Sequence, residues 1–181
     1  MKSIYFIRHA KAGWSIPNTS DFERSISKKG RRDINTMGSY LALRGVKPDL
    51  ILSSCALRAQ QTTDLLAEKI AFEGEKYYLQ ELYLTSTEAI GEIVSIQDDD
   101  IDTMFIVGHN PYLHELANSL IDEHISKFPS LGIVAINFDT ESWSSIGETR
   151  GEIDFFIFPK QFKYYMPRQI RSFLTEPQAE S

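Results

Sequence analysis

Apolar positions in this chain fall into short continuous runs that alternate with helical stripes. Residues 4–7, Ile-Tyr-Phe-Ile, form an unbroken run of β-formers, the pattern of a strand buried on both faces. A polar loop punctuated by Gly13, Pro17 and Asn18 follows, and Ser27 is placed to cap a helix through Ile34, Met37 and Leu41. Gly45 and Pro48 mark where that helix should stop. Residues 50–52 repeat the buried-strand pattern and lead through Ser53 and Ser54 into a helix carrying Leu65, Leu66 and Ile70. Residues 77–79 give a weaker third strand, and residues 89–96 a short helix. Residues 104–107 form a further strand ending in Gly108, after which Leu113, Leu116, Ala117, Leu120 and Ile121 fall at helical spacing on one face. Two late strands, 133–138 and 153–158, flank a stretch rich in Ser, Gly and Glu and suggest a hairpin-like pair.

Strands that alternate with helices through the first two thirds predict an α/β sandwich around a mostly parallel sheet. No repeat or linker divides the chain, so one domain is expected over residues 1–174, with 175–181 a frayed tail. Ligands of open α/β sheets bind beyond the carboxyl ends of strands. Arg8 and His9 follow the first strand, Arg58 the second and His109 the fourth. Those loops are placed to converge on one crevice.

Composition narrows the picture mainly by exclusion. The 181 residues suffice for one sizeable core, and an apolar fraction of 42% with 24% charged residues is ordinary for a globular protein. A net charge of −6 argues against broad nucleic-acid binding. The single cysteine, Cys55, can form no internal disulfide, and no Cys/His cluster has zinc spacing. The opening apolar run is shorter than a signal-peptide core and stops at Arg8, and no segment approaches the ~20 apolar residues of a membrane span. A reduced cytoplasm is the expected location.

The residues at the strand ends fit phosphoryl transfer. A phosphoryl group in transfer spreads negative charge over three oxygens, so catalysis is mostly positioning and electrostatics. Arg8 and Arg58 would supply permanent charge and forked donors matching phosphate. His109 could donate to a third oxygen, and His9 could attack phosphorus in line if its attacking nitrogen is unprotonated. The other His9 nitrogen would then need an acceptor, often a backbone carbonyl. The mechanism asks for no metal or cofactor, since the arginines supply the charge. Taken singly, each feature has a plainer explanation: an Arg-His pair in a loop, a solvated Arg58 on a helix, a turn at Gly108-His109-Asn110-Pro111. Their order on three strand ends carries the weight.

Three segments in that order resemble the signatures of the histidine phosphatase superfamily, the phosphoglycerate mutase-like fold: Arg8-His9-Ala10-Lys11, residues 53–62 (Ser-Ser-Cys-Ala-Leu-Arg-Ala-Gln-Gln-Thr) and residues 107–111 (Val-Gly-His-Asn-Pro). The resemblance covers residues 2 to about 122. It implies a three-layer α/β/α sandwich around a mixed sheet, a covalent phosphohistidine on His9, and a phosphate pocket of Arg8, Arg58 and His109. Ala10 departs from the glycine usual after that histidine. With the short chain, residues 21–24 (Asp-Phe-Glu-Arg) and residues 27–30 (Ser-Lys-Lys-Gly), it resembles the SixA-type branch, which removes phosphate from phosphohistidine on proteins.

Larger relatives use a carboxyl acid after the third strand to protonate the leaving oxygen, and Glu81 lies near the matching place. A P–N bond to imidazole is labile and needs such an acid less than a phosphoester does. The expected substrate is therefore a phosphohistidine carrier protein, ahead of small phosphomonoesters with Glu81 as acid, and ahead of a non-catalytic phosphate-binding module. Asn110 is a candidate phosphate donor. The basic residues Lys11, Arg24, Lys28, Lys29, Arg31 and Arg32 could steer phosphorylated substrates but suit a solvated face better. Trp14 and Trp143 are expected in packing, and His114 and His124 on the surface. Oligomeric state is not legible, and no nucleic-acid or membrane partner is expected.

Overall fold

A computed structural model of the chain describes residues 1–14 and 16–164. The expected tail, 175–181, and the end of the expected domain lie outside the described residues. Strands and helices alternate as β1 (Lys2–Arg8), α1 (Lys28–Leu43), β2 (Leu50–Ser54), α2 (Leu57–Lys69), β3 (Glu75–Leu79), α3 (Thr87–Ser95), β4 (Thr103–Gly108), α4 (Tyr112–Leu120), β5 (Ile133–Phe138), β6 (Glu152–Ile157) and α5 (Pro159–Tyr164). Single 3-10 segments, Gln80–Leu82 and Trp143–Glu148, precede α3 and β6.

The sheet runs in the order β3-β2-β4-β1-β5-β6. β3, β2, β4 and β1 are mutually parallel, whereas β5 runs against both β1 and β6. This is the mostly parallel mixed sheet of an α/β sandwich, with β5–β6 the late antiparallel pair.

Alternation within the central strands builds two cores. Ile4, Phe6, Leu50, Leu52, Met104, Ile106, Val134 and Ile136 face one side, where they pack with Ile90 and Val94 of α3 and Leu113, Leu116 and Leu120 of α4. Tyr5, Ile7, Ile51, Phe105, Val107, Ile133 and Ala135 face the other, against Ile34, Met37 and Leu41 of α1 and Leu66 of α2. Covering both faces is what makes these strands read as continuous apolar runs.

Local signals match the boundaries. Ser27 caps α1 by accepting from the Gly30 N–H at 3.0 Å. Gly45 closes the same helix with φ +69°, a left-handed conformation that glycine adopts without strain. At the sheet edge away from the strand carboxyl ends, the buried Lys2 ammonium donates to the carbonyls of Asp99 and Ile101 (2.5 and 2.9 Å) and to Asp102 (3.0 Å). Trp143 is fully buried beside it, a packing residue as expected. Trp14 differs: it is 66% exposed and lies against the Arg24 guanidinium, 3.9 Å from ring centroid to Cζ. His114 is also not a free surface residue, because its Nε2 meets the Ile125 carbonyl at 2.5 Å and ties α4 to the segment entering β5. Among the described residues no helix is long and apolar enough to cross a membrane.

Candidate active site

The strands that end in the sequence-predicted residues are neighbours in the sheet, β2-β4-β1. Their register is level: Arg8 pairs with Gly108, and Ser53 with Val107. The His9 N–H continues the ladder onto the Gly108 carbonyl at 3.0 Å. Arg8, His9, His109 and the start of α2, with Arg58, therefore emerge at one edge, and the structure brings all four side chains together.

His9 is held in a single tautomer. Its Nδ1 lies 2.7 Å from the carbonyl oxygen of Ala10. A carbonyl only accepts, so Nδ1 carries the proton and Nε2 keeps its lone pair. Arg58 Nε donates to that lone pair at 3.3 Å. Burial lowers the His9 pKa to about 3; the Ala10 carbonyl opposes this, and His109, Arg58 and Arg8 add to it. The imidazole is neutral at pH 7. Ala10 is itself fully buried, and its N–H donates to Thr62 Oγ1 at 3.0 Å, one helical turn beyond Arg58. Thr62 Oγ1 in turn donates to the Arg58 carbonyl at 2.7 Å, so the His9 loop and the start of α2 are joined.

His109 sits with its ring centroid 5.1 Å from that of His9. Its Nε2 meets the buried Ser54 hydroxyl at 2.7 Å, and its Nδ1 meets Arg58 Nη2 at 3.4 Å. Burial first, then the charge of Arg58, lowers its pKa to about 4, with Asp21 opposing. It too is neutral at pH 7.

The two arginines differ in their neighbours. Arg8 Nη1 donates to the Phe128 carbonyl at 3.1 Å, while its Nε is buried with no partner among the described residues. Burial lowers its pKa. Arg58 is buried and bound by residue 21 through two donors: Nη1 to the Asp21 carbonyl at 2.6 Å and Nη2 to the Asp21 carboxylate at 3.1 Å. That carboxylate also accepts from Tyr83 at 3.0 Å and from Arg24 at 3.1 Å. Partial burial works to raise the Asp21 pKa, but the hydrogen bonds from Arg24 and Tyr83 and the charge of Arg58 outweigh it and hold the carboxyl below its usual range.

The remaining candidates stand apart from this cluster. Glu81 is exposed on the 3-10 segment after β3 and makes no hydrogen bond or ion pair with the pocket residues. Asn110 spends its Nδ2 on the Phe128 carbonyl at 2.8 Å, which ties down the segment that also holds Arg8, and its Oδ1 is buried without a partner among the described residues. Cys55 donates to Gln80 Oε1 at 3.0 Å. Sequence reasoning used Asp21 only as a mark of resemblance; its contacts with Arg58, and that of Tyr83 with Asp21, were missed. The Phe128 carbonyl carried no sequence signal.

Chemically the cluster offers an unprotonated imidazole nitrogen, two guanidiniums, one with an unmatched buried donor, and a second imidazole. Such an array suits a tetrahedral oxyanion.

Comparison with known proteins gives the same answer. Residues 4–88 match the family model of the histidine phosphatase superfamily, branch 1. An uncharacterized protein of Mycobacterium tuberculosis is 29% identical over 140 residues, which are 72% of this chain and 85% of that protein. A protein of Agrobacterium tumefaciens assigned as the phosphohistidine phosphatase SixA has 27% identity and a TM-score of 0.75, over 86% of this chain and 97% of that one. The structure of the protein histidine phosphatase SixA with tungstate shares the fold at 19% identity, TM-score 0.75, over 88% of this chain and 98% of that one. The phosphoglycerate mutase-like fold, the SixA-like structure and a family match that spans just under half of the chain, including Arg8, His9 and Arg58, make the chain similar to the histidine phosphatase superfamily and support a phosphohydrolase.

Proposed function

We propose that this phosphohydrolase removes phosphate from phosphohistidine carried on a cytoplasmic protein, with His9 as nucleophile. His9 Nε2 attacks phosphorus, the P–N bond to the substrate imidazole breaks, and that imidazole leaves neutral with a proton taken from water on its other ring nitrogen. Water then attacks the phosphoryl group on Nε2, releasing inorganic phosphate and restoring the lone pair. Arg8, Arg58 and His109 hold the phosphoryl oxygens throughout. Asn110 serves by anchoring the Phe128 segment beneath Arg8.

The observation that carries the mechanism is the neutral His9, its Nδ1 on a carbonyl and its Nε2 lone pair turned to an arginine 3.3 Å away. The choice of substrate draws on the carboxylates. The one bonded to Arg58 is Asp21, which its cationic neighbours keep ionised and hence a poor proton donor. Glu81 is exposed and unconnected to the pocket. A phosphoester leaving group depends on a positioned acid, whereas an imidazole leaving group needs it far less. Tungstate, a tetrahedral oxyanion like phosphate, is bound in the SixA structure that shares the fold.

Hydrolysis of a phosphohistidine protein and of para-nitrophenyl phosphate, measured on wild type and Glu81→Gln, tests the substrate. The expected result is preference for phosphohistidine and little change on substitution. Strong phosphoester turnover lost in Glu81→Gln would instead establish a small-phosphomonoester phosphatase. Alkali-quenched labelling that traps no phosphate on wild type, with no hydrolysis of any donor, would leave a phosphate-binding module.

A further inference from the structure

His109 has one nitrogen facing the pocket and one facing Ser54, and the donors around it decide which carries the proton. Arg58 Nη2, 3.4 Å from His109 Nδ1, has only hydrogens to offer, because a guanidinium never gives up its proton in a protein. Nδ1 must therefore be an acceptor in the free enzyme, and in a neutral ring the proton belongs to Nε2. Ser54 Oγ, 2.7 Å away and fully buried, receives it. The same oxygen accepts the Ala56 N–H at 3.2 Å. With two donors on its lone pairs, Ser54 is committed as an acceptor toward His109.

We infer that Ser54 is a positioning residue that makes Nδ1, rather than Nε2, the proton-exchanging atom of His109. The inference rests on the reading of this pocket as a phosphoryl site. As a phosphoryl dianion enters, Arg58 turns its donors to the new oxygens and Nδ1 takes a proton from water. His109 becomes an imidazolium, with Nδ1–H on a phosphoryl oxygen and Nε2–H still on Ser54. When inorganic phosphate departs, the Nδ1 proton returns to water and the Arg58 contact is restored. The charges facing this ring are Arg58 from α2, Arg8 from the end of β1, and Asp21 and Tyr83 across the mouth; His9 beside it is neutral. The two arginines oppose protonation in the free state, and the dianion removes that opposition.

The test is ¹⁵N NMR of the His109 ring at pH 8, free and saturated with tungstate, together with kinetics of Ser54→Ala and Ser54→Thr. In free wild type, the neutral Nε2–H tautomer is expected, and with tungstate both nitrogens should be protonated. Ser54→Ala should lose the tautomer preference and about tenfold in kcat, and Ser54→Thr, which keeps the hydroxyl, should restore both. An Nδ1–H tautomer in the free enzyme overturns the proposal. So does a tungstate complex in which the proton has merely moved from Nε2 to Nδ1. Failure of tungstate to bind at all would defeat the phosphate-pocket reading itself, and Ser54's role with it. The wild-type spectra decide the question even if Ser54→Ala does not fold.

Discussion

The two histidines at the heart of the site end adjacent parallel strands and are both neutral, yet they are held in opposite ways. His9 rests its far nitrogen on the carbonyl of Ala10, an acceptor that cannot change role. His109 rests its far nitrogen, here Nε2, on the hydroxyl of Ser54, so that Nδ1 is the atom facing the pocket. A fixed acceptor suits a nucleophile, whose lone pair must always face the substrate. His109, anchored through Nε2 on an acceptor that keeps its role, leaves Nδ1 free to gain and lose a proton as phosphate comes and goes. The contrast assigns attack to the end of β1 and charge accommodation to the end of β4.

Removing each histidine in turn is the bluntest way to break this comparison. His9→Ala should abolish alkali-stable, acid-labile labelling and cost roughly 10⁴-fold or more in kcat, as expected for a lost nucleophile. His109→Ala should keep some labelling and cost on the order of 10²–10³-fold, the scale of one oxyanion donor. Equal losses in single-turnover assays would erase the distinction.

Acid offers a second test. Both rings stay neutral in the fold, with pKa values lowered to about 3 for His9 and about 4 for His109, but titrate near 6.5 when unfolded. Below pH 6.5 the unfolded chain binds more protons than the folded one, so stability is fully present above that pH and is lost as pH falls toward 4. His9 alone should account for roughly 3 kcal/mol by pH 4, at about 1.4 kcal/mol per pKa unit. Urea unfolding at several pH values should show this slope in wild type and a shallower one in His9→Ala; parallel slopes would mean His9 is not buried as a neutral ring.

Two smaller effects test the scaffolding. A Cβ at Gly30 would stand 2.5 Å from the Lys11 carbonyl oxygen. Gly30→Ala should therefore press on the His9 loop and cost about 2 kcal/mol of stability, visible as a lower Tm with reduced activity. Asp21→Asn should change kcat/KM by about fivefold at most, since a half-exposed ion pair contributes no more than about 1 kcal/mol and the Asp21 carbonyl still holds Arg58 at 2.6 Å. A larger loss would give Asp21 a direct part in the reaction.

Much of this was legible in the sequence because burial on both faces leaves a plain mark. Residues 4–7, 50–52 and 104–107 read as strands since each side chain enters one core or the other. Arg8, His9, Arg58 and His109 were visible because each follows such a strand within a few residues. What lay hidden depends on contacts between distant segments. Asp21 reaches Arg58 across 37 positions and Tyr83 reaches Asp21 across 62, through loops whose paths no periodicity encodes. Phe128 contributes only its backbone, which has no residue signature at all. Trp14 misled because an aromatic residue near a core usually enters it, whereas here it covers a guanidinium at the surface. Ser54 sat in a recognised segment, but which of two adjacent serines meets His109 depends on the alternation at the end of β2.

The reversed direction of β5 has a consequence for how the enzyme is made. Because β5 runs against β1, its beginning lies at the catalytic edge, and the chain just before it delivers the Phe128 carbonyl to Arg8 and the Gly132 carbonyl to the Arg8 N–H at 3.1 Å. A nascent chain that has emerged only as far as α4 already contains both arginines and both histidines of the pocket. It still lacks the backbone that braces the first arginine and the strand that covers the free side of β1. Assembly of the pocket thus waits for a stretch with no catalytic side chain, and the order of synthesis delays competence until the far side of the sheet has been laid down.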